Sequence, residues 1–410
     1  GCEEKLLENP ISGYIGFDPT ADSLHIGSLV QILILMHFQN SGHQPIVLIG
    51  GATGMIGDPS GKSSERNLLT KDELEKNIRG IKSQLSKFLN FDSKEKNSAV
   101  IFDNNDWFKN INLIDFIRDI GKHLTVNYMV AKDSVKKRLS KESNEGMSFT
   151  EFTYQLIQAY DFYHLFKNEN CLIQMGGSDQ WGNITSGTEL IRKKTGEKAF
   201  ALTCPLITKT DGSKFGKTED GNVWLDRNRT SPYKFYQYWL NISDEDAFKY
   251  IKIFTFYSEI EIKEFIKTHK DAPHQRSLQK IISSDLTKLV HSKNDLDKVI
   301  IASNILFGKS TSKDLELLDE KTFLDVFDGV PKVELSLESL KNNTSINDFL
   351  YEAGFLSSKS EINRAIKENS ISINKEKIDA NFSLTKSNLI CGKYILAQRG
   401  RKNYFLIIIH

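Results

Sequence analysis

Cysteine is scarce in this chain, and so is every arrangement that would make it chemically useful. The 410 residues include four, Cys2, Cys171, Cys204 and Cys391, widely separated, with no CxxC pair and few histidines near them. That excludes a disulfide-stapled scaffold and a zinc ribbon, and assigns the thiols to reduced, mostly core positions of a cytoplasmic protein. Long apolar runs are missing too. None approaches the roughly 18 residues of a membrane helix, and Gly1-Cys2-Glu3-Glu4 has no signal-peptide pattern. A first strand begins by residue 11, so a native N-terminal segment is expected to precede the numbered chain. No charge of one sign dominates: Lys and Arg total 54 against 53 Asp and Glu. The near balance excludes a global polycation, and neither DNA nor a membrane is an expected partner. From Lys332 onward, however, 12 basic residues face 8 acidic ones, against 42 and 45 before it, so the most basic surface is placed at the C-terminus. Two familiar phosphate loops are also lacking. Gly57-Asp58-Pro59-Ser60-Gly61-Lys62-Ser63 is one residue too short between its glycines for a Walker A loop, and Gly51-x-x-Gly54-x-x-Gly57 is not a dinucleotide GxGxxG.

What is present is an alternation of short β-rich runs with helical patterns. Tyr14-Ile15-Gly16-Phe17 is followed by a helical stripe through Leu29, Ile32, Leu33 and Met36, then by Ile46-Val47-Leu48-Ile49, and later by Cys171 to Met175 and Leu202 to Ile207. Strands separated by helices predict an α/β fold, a Rossmann-like parallel sheet with helices on both faces. Ligands of such sheets bind beyond the C-terminal strand ends. Asp18-Pro19-Thr20 with His25, Gly50-Gly51-Ala52-Thr53, and Gly176-Gly177-Ser178-Asp179 follow three of those ends, so one crevice can collect them.

Domain 1–230 is expected to be this catalytic domain, with an insertion at about 100–147. Residues 231–331 read as an α-helical domain, 332–344 as a linker containing the polar Lys341-Asn342-Asn343-Thr344, and 345–410 as a small α+β domain. Its expected elements are helices from Ile346 to Ala353 and Lys359 to Glu368, then strands at Ile371-Ile373, Tyr394-Leu396 and Tyr404-Ile407. The last two are joined by the basic turn Arg399-Gly400-Arg401-Lys402.

Two short motifs carry the chemistry. His25-Ile26-Gly27-Ser28 opens the first helix, where backbone N–H groups and the helix dipole favour an anion and a histidine can donate to a phosphate; a histidine here also reads as a helix cap. Lys214-Phe215-Gly216-Lys217-Thr218 sets two lysines three apart on a glycine-containing loop. They can follow a pyrophosphate as charge moves onto it, although a solvated surface turn has the same composition.

In this order, and with Tyr14 to Gly27, Gly50 to Lys62, Phe149 to Asp161 and Gly176 to Asn183, the chain resembles the bacterial-type tyrosyl-tRNA synthetases, class I aminoacyl-tRNA synthetases, over nearly its whole length. The resemblance implies a tyrosine-tRNA ligase using ATP with Mg2+ brought by the nucleotide, no dedicated metal site, tRNA(Tyr) and L-tyrosine as substrates, and a homodimer with its interface around Trp107 to Val130. It implies that Tyr14 and Asp161 bind the phenolic hydroxyl, that Tyr154, Gln158 and Asp58 hold the ammonium, and that Gln180 lies beside the carboxyl region. Thr20, His25, Lys214 and Lys217 would surround the phosphates; Gly177 and Asp179 would meet the ribose, and Gly16, Asp18 and Gly27 would complete the ATP site. The tail resembles a ribosomal-protein-S-four-like RNA-binding fold, with Lys359, Arg364 and Lys367 meeting RNA phosphates.

One departure stands out. The motif's usual second histidine is Ser28, so the nucleotide contact expected there must be weaker, water-mediated or absent. A tryptophanyl enzyme shares the fold but has no use for a Tyr14/Asp161 pair opposite an indole that only donates. A nucleotidylyltransferase needs neither the helical domain nor the RNA-binding tail, and a non-catalytic RNA-binding relative would be expected to lose the lysine loop or the pocket.

Overall fold

β-Branched and aliphatic runs flanked by glycine and proline become the strands of a computed structural model that describes residues 1–60, 69–139, 147–212, 215–218, 221–306, 311–342, 345–400 and 403–410. The chain divides into two compact units, Gly1–Asp226 and Arg227–His410. In the first, strands β1 (Ser12–Phe17), β2 (Gln44–Ile49), β3 (Val100–Asp103), β4 (Cys171–Gly177) and β5 (Phe200–Cys204) form one sheet in the order β3-β2-β1-β4-β5. All its pairings are parallel, with Tyr14 registered against Ile46 on one side and Gln174 on the other. The strand order reverses between β1 and β4, which is where such sheets open a crevice. The expected α/β, Rossmann-like architecture is therefore present.

Helices cover this sheet because their apolar stripes match its buried faces. Ile26–Asn40 buries Ile26, Leu29, Ile32, Leu33, Leu35 and Phe38. Phe149–Glu169 starts at a Ser148 capping box, ends on Asn170 in the left-handed region, and buries Phe162, Leu165 and Phe166 against Tyr14, Ile46 and Leu48. Trp181–Thr195 lies against it through Gly187, where an added Cβ would come within 2.8 Å of the Phe162 ring. That glycine sets how closely the two helices approach.

The second unit begins with helices, among them Pro232–Leu240, Ser277–Val290, Lys293–Leu306 and Glu320–Val326. After the two-residue ribbon strands β6 (Lys217–Thr218) and β7 (Gly221–Asn222) of the first unit, the remaining strands are β8 (Lys332–Leu335), β9 (Ile371–Ile373), β10 (Glu376–Lys377), β11 (Tyr394–Arg399) and β12 (Asn403–Ile409), in a sheet ordered β10-β9-β11-β12-β8. The helices Ile346–Glu352 and Lys359–Lys367 occur where the sequence placed them. The linker expected at 332–344 requires correction. Lys332–Leu335 pairs in parallel with Leu406–Ile409, and Leu337–Asn342 is helical. Val333 and Leu335 alternate with Lys332 and Glu334 as a half-buried strand does, but the partner lies about 70 residues on, and the polar run after the strand masked the signal. Asn343 and Thr344 of that run, and Arg401 and Lys402 of the basic turn, lie outside the described residues.

The terminal sheet is buried on both faces. Tyr394, Leu396 and Leu406 join Tyr233, Val299, Ile305 and Phe323 of the preceding helices, while Ile395, Ala397 and Ile407 point into a second core with Phe349, Ile362 and Ile366. Period-two alternation thus welds the terminal sheet to the helices before it.

Candidate active site

At the C-terminal ends of β1, β2 and β4 the first unit encloses a cavity of about 810 Å³. Tyr14, Gly16, Asp18, Thr20, His25, Asp58, Tyr154, Gln158, Asp161, Gly177, Asp179 and Gln180 all line it. These residues span more than 160 positions of sequence, and the strand ends gather them.

The deep end is built around a phenol and a carboxyl. Tyr14 is 1% exposed, packs edge-to-face on Phe162 with centroids 5.4 Å apart, and its Oη has no hydrogen-bond partner among the described residues. Burial and the neighbouring Asp161 charge push its pKa well above the ordinary tyrosine value. Asp161, also 1% exposed, accepts from Asn104 Nδ2 at 3.1 Å and Trp107 Nε1 at 2.9 Å. Burial raises its pKa to about 8, against the opposing effect of those two donors. Asn104 is fixed in turn: Ala52 N donates to its Oδ1 at 2.7 Å, and its Nδ2 also reaches Thr53 Oγ1 at 3.1 Å. The Trp107 ring stacks on His164, centroids 4.3 Å apart. A buried phenol without a partner beside a carboxyl with spare lone pairs suits a ligand group that both donates and accepts.

Further out, Asp58 accepts from Gln180 Nε2 at 2.6 Å, Ser60 N at 2.9 Å and Asn183 Nδ2 at 3.3 Å. Gln158 Oε1 and Gln174 Oε1 are buried without a hydrogen-bond partner among the described residues. One carboxylate and two neutral acceptors form a site for a cation with several N–H groups. Tyr154 donates its hydroxyl to Asp18 Oδ2 at 2.7 Å, and Thr53 Oγ1 donates to Asp18 Oδ1 at 2.7 Å. The Tyr154 oxygen is thereby presented as an acceptor. Gly50 is required here, since a Cβ would lie 2.1 Å from Asp18 Oδ1.

At the remaining end stands the start of the helix Ile26–Asn40. His25 is its N-cap, with Nδ1 accepting from Gly27 N at 3.0 Å and the ring edge-on to Trp224. Because Nδ1 accepts, the neutral ring carries its proton on Nε2, so the same histidine that caps the helix offers a donor. Capping and anion binding are compatible in one side chain. Gly27 is not part of the cavity wall; a Cβ there would meet the His25 ring at 2.7 Å, so this glycine lets the ring fold back.

Comparison with known proteins places the chain in a family. The profile of the tRNA synthetases class I (W and Y) matches residues 6–308, and that of the tyrosine–tRNA ligase SYY-like C-terminal domain matches residues 322–407. The tyrosine–tRNA ligase of Flavobacterium johnsoniae is 62% identical over 410 residues, covering 99% of this chain and 95% of that relative, and the Bacteroides thetaiotaomicron enzyme of the same name is 55% identical over 410 residues, 100% and 95%. Among solved structures, a C-terminally truncated mitochondrial tyrosyl-tRNA synthetase of Aspergillus nidulans superposes with a TM-score of 0.65 at 30% identity, covering 74% of this chain and 89% of that one. The chain belongs to the class I tRNA synthetases.

Within that family framework, some expected residues fall outside the cavity. Lys217 begins β6, is exposed and is not in the cavity wall, while Phe215, two residues before it, and Asn222 of β7 are. Gly216 between them has φ of 80°, and a Cβ there would come within 3.0 Å of Ile26. Lys214, the other lysine of the loop, lies outside the described residues. Lys359, Arg364 and Lys367 are in the second unit on the helix Lys359–Lys367; Arg364 and Lys367 are exposed, whereas Lys359 pairs with Asp348 at 2.5 Å. Among the described residues no group of three His, Cys, Asp or Glu is arranged for a metal, and no helix is long and apolar enough to cross a membrane.

Several site residues escaped the sequence reading. Asn104 and Trp107 hold Asp161, yet Trp107 was expected at the head of a dimer-interface segment. Their signal was available, because Asn104 directly follows β3 at the sheet end where ligands bind. Gln174 was visible as a lone amide in the apolar strand Cys171–Gly177. Thr53 and Asn183, which hold Asp18 and Asp58, gave no signal beyond membership of conspicuous motifs.

Proposed function

We propose that this class I synthetase is a tyrosine-tRNA ligase, which activates L-tyrosine with ATP and transfers it to the 3′-terminal adenosine of tRNA(Tyr). The observation that carries the reading is the Tyr14 hydroxyl, without a partner among the described residues, at the closed end beside Asp161. A phenol supplies the missing acceptor and donor at once; an indole N–H would satisfy Asp161 and leave Tyr14 stranded. The ammonium is held by Asp58, Gln158 and the Tyr154 oxygen, and Gln180, bonded to Asp58, stands next to the carboxyl region.

The tyrosine carboxylate attacks the α-phosphorus of ATP, one P–O bond forms, the bond to the β-phosphate bridge breaks, and pyrophosphate leaves with its electron pair. Thr20, His25 through Nε2–H, Lys214 and Lys217 stabilise the charge that develops on the phosphates, with Gly177 and Asp179 at the ribose and Gly16, Asp18 and Gly27 shaping the loop. The magnesium arrives with the nucleotide. A ribose hydroxyl of the terminal adenosine then attacks the tyrosyl carbonyl and AMP leaves. Alignment and electrostatics suffice, with no covalent enzyme intermediate.

We assign the helical segment to the anticodon side and the terminal module to RNA binding, with Arg364 and Lys367 in the lead. The enzyme works in the cytoplasm as a homodimer, a reading supported by the exposed Leu113, Ile114, Ile117 and Val126 within the expected interface segment. Pyrophosphate exchange with each of the twenty amino acids tests the reaction: tyrosine alone is expected to support it, and equal exchange with tryptophan or none with tyrosine rejects the assignment.

A further inference from the structure

The segment between β1 and the helix Ile26–Asn40 brings Thr20 and His25 to the cavity without a regular element of its own to pair its backbone. The helix Lys71–Leu85 supplies the partners. Its buried face is unusual, because among Leu74, Ile81 and Leu85 it carries the polar Asn77 and Gln84. With Gly80 these form one stripe at i, i+3 and i+7. Asn77 Nδ2 donates to Pro19 O at 2.9 Å, and a Cβ on Gly80 would lie 2.1 Å from Asp22 O, so the helix rests directly on the segment's backbone. Gln84, 6% exposed and not in the cavity wall, accepts from Leu24 N at 2.8 Å and donates from Nε2 to Ser23 Oγ at 2.9 Å. Ser23 Oγ in turn donates to Leu24 O at 2.8 Å and accepts from Asp226 N at 3.2 Å, which uses every bond a hydroxyl can make. The Asp226 bond ties in a second segment. Leu225 N donates to Leu24 O at 2.8 Å, Ile26 N to Val223 O at 3.0 Å and Val223 N to Gly216 O at 3.0 Å, while the Trp224 ring stands edge-on to His25.

On the reading of this cavity as the tyrosine and ATP site, we propose that Gln84 is a positioning residue for the reaction: through Ser23 it holds the segment carrying Thr20 and His25 in register with the one carrying Asn222 and Trp224. It touches no substrate. Groups that meet charge developing in the transition state lose their effect when displaced by a fraction of their reach, so a slack register slows turnover. The closed end is held separately by Asn104 and Trp107, so tyrosine binding is left alone.

The test is steady-state pyrophosphate exchange with tyrosine, beside a thermal melt, for wild type, Gln84→Met, Ser23→Ala, Gln84→Met/Ser23→Ala and Leu85→Ala. Methionine keeps the length of the side chain and removes both hydrogen bonds. Each of the first two single variants is expected to lower kcat about tenfold, with KM for tyrosine and for ATP changed less than about twofold. The double variant should fall at most about twofold below the slower single one, because both changes break one linkage. Leu85→Ala truncates a side chain 0% exposed on the same helix and outside the cavity wall. It should melt at least as far below wild type as Gln84→Met while kcat stays within about twofold. Should Gln84→Met not fold, Ser23→Ala decides alone: a lowered kcat supports the proposal and an unchanged one overturns it. An unchanged kcat in Gln84→Met, a KM for tyrosine that rises in step, penalties that multiply in the double variant, or an equal kcat loss in Leu85→Ala overturns the proposal while leaving tyrosine activation intact. A wild-type protein with no tyrosine-dependent exchange instead overturns the reading of the reaction, and this proposal with it.

Discussion

The two ends of the cavity are built on opposite plans. At the closed end Tyr14 and Asp161 are each 1% exposed, and Asn104 and Trp107 hold the carboxyl in place before any ligand arrives. At the end formed by the start of the helix Ile26–Asn40, His25 is half-buried and Lys217 is exposed outside the wall. Discrimination between side chains that differ by one hydroxyl needs rigid, desolvated partners whose loss is costly. Stabilising charge that appears only during the reaction needs donors that can gather on the phosphates when they arrive. On the proposed function, one crevice separates selection from acceleration by depth.

If that separation holds, the largest effect belongs to the closed end. Asp161→Ala removes a buried acceptor and strands two donors as well as the substrate hydroxyl, so kcat/KM for tyrosine in exchange is expected to fall about 10³-fold. KM for ATP should change little. A comparable loss of ATP affinity would show that the two ends are not separate.

The reverse experiment acts on the open end. His25→Ala is expected to slow single-turnover adenylate formation about 10²-fold with tyrosine binding unchanged, because its Nε2–H meets charge that develops in the transition state. Ser28→Ala should cost less than about threefold. A Ser28 effect as large as that of His25 would show that the Ser28 hydroxyl keeps the nucleotide contact expected of the motif's second histidine.

Much of this plan was readable before the structure. The parallel sheet followed from strand and helix alternation, and the gathering of Thr20, His25, Gly177 and Asp179 in one cavity from motifs at strand ends, because both signals are local in sequence, whereas Tyr154, Gln158 and Asp161 on the helix Phe149–Glu169 were named only through the family resemblance. What was not readable depends on distant pairing or on what a side chain touches. β8 needs β12, about 70 residues away, to be recognisable as a strand. Trp107 looks like an interface aromatic until its indole is seen donating to Asp161. The capping role of His25 and its role at the cavity were weighed as alternatives from sequence; the bond from Gly27 N makes them one arrangement. The shared core of the second unit also bears on shortened chains. Ending near Lys341 removes Tyr394, Leu396 and Leu406 from the cluster around Phe323 and leaves that surface open.

A third test reads the closed end through stability. Burial raises the Asp161 pKa from the ordinary carboxylate value near 4 to about 8. A folded-state pKa above the unfolded one means that the contribution to stability is complete below about pH 4 and is lost as pH rises to about 8, since the unfolded chain ionises first. The loss is at most about 1.4 kcal/mol per pH unit. Denaturant midpoints of the free enzyme between pH 5 and 9 should therefore fall relative to those of Asp161→Asn, which cannot ionise, and run parallel above about 8. A constant difference across that range would show that Asp161 is ionised throughout and that its two donors outweigh burial.

A smaller effect than at Asp161 or His25 is expected from Tyr14→Phe, and it separates function from stability most cleanly. In the free enzyme the Tyr14 hydroxyl is a buried polar group without a partner among the described residues, a cost of about 1–3 kcal/mol to the fold. Removing it keeps the ring and its edge-on packing against Phe162. The variant should thus melt at the same temperature as wild type or slightly higher. With tyrosine bound, the same hydroxyl gains a partner, and its loss removes one neutral hydrogen bond, so the preference for tyrosine over phenylalanine should relax about tenfold while ATP dependence stays the same. Asp161 remains to hold the substrate phenol, which is why the change is far smaller than for Asp161→Ala. The measurement is the ratio of exchange efficiencies for the two amino acids in both proteins, beside a thermal melt of each. A variant that is less stable and equally selective would place the Tyr14 hydroxyl in the architecture of the core, and the pocket assignment would have to be withdrawn.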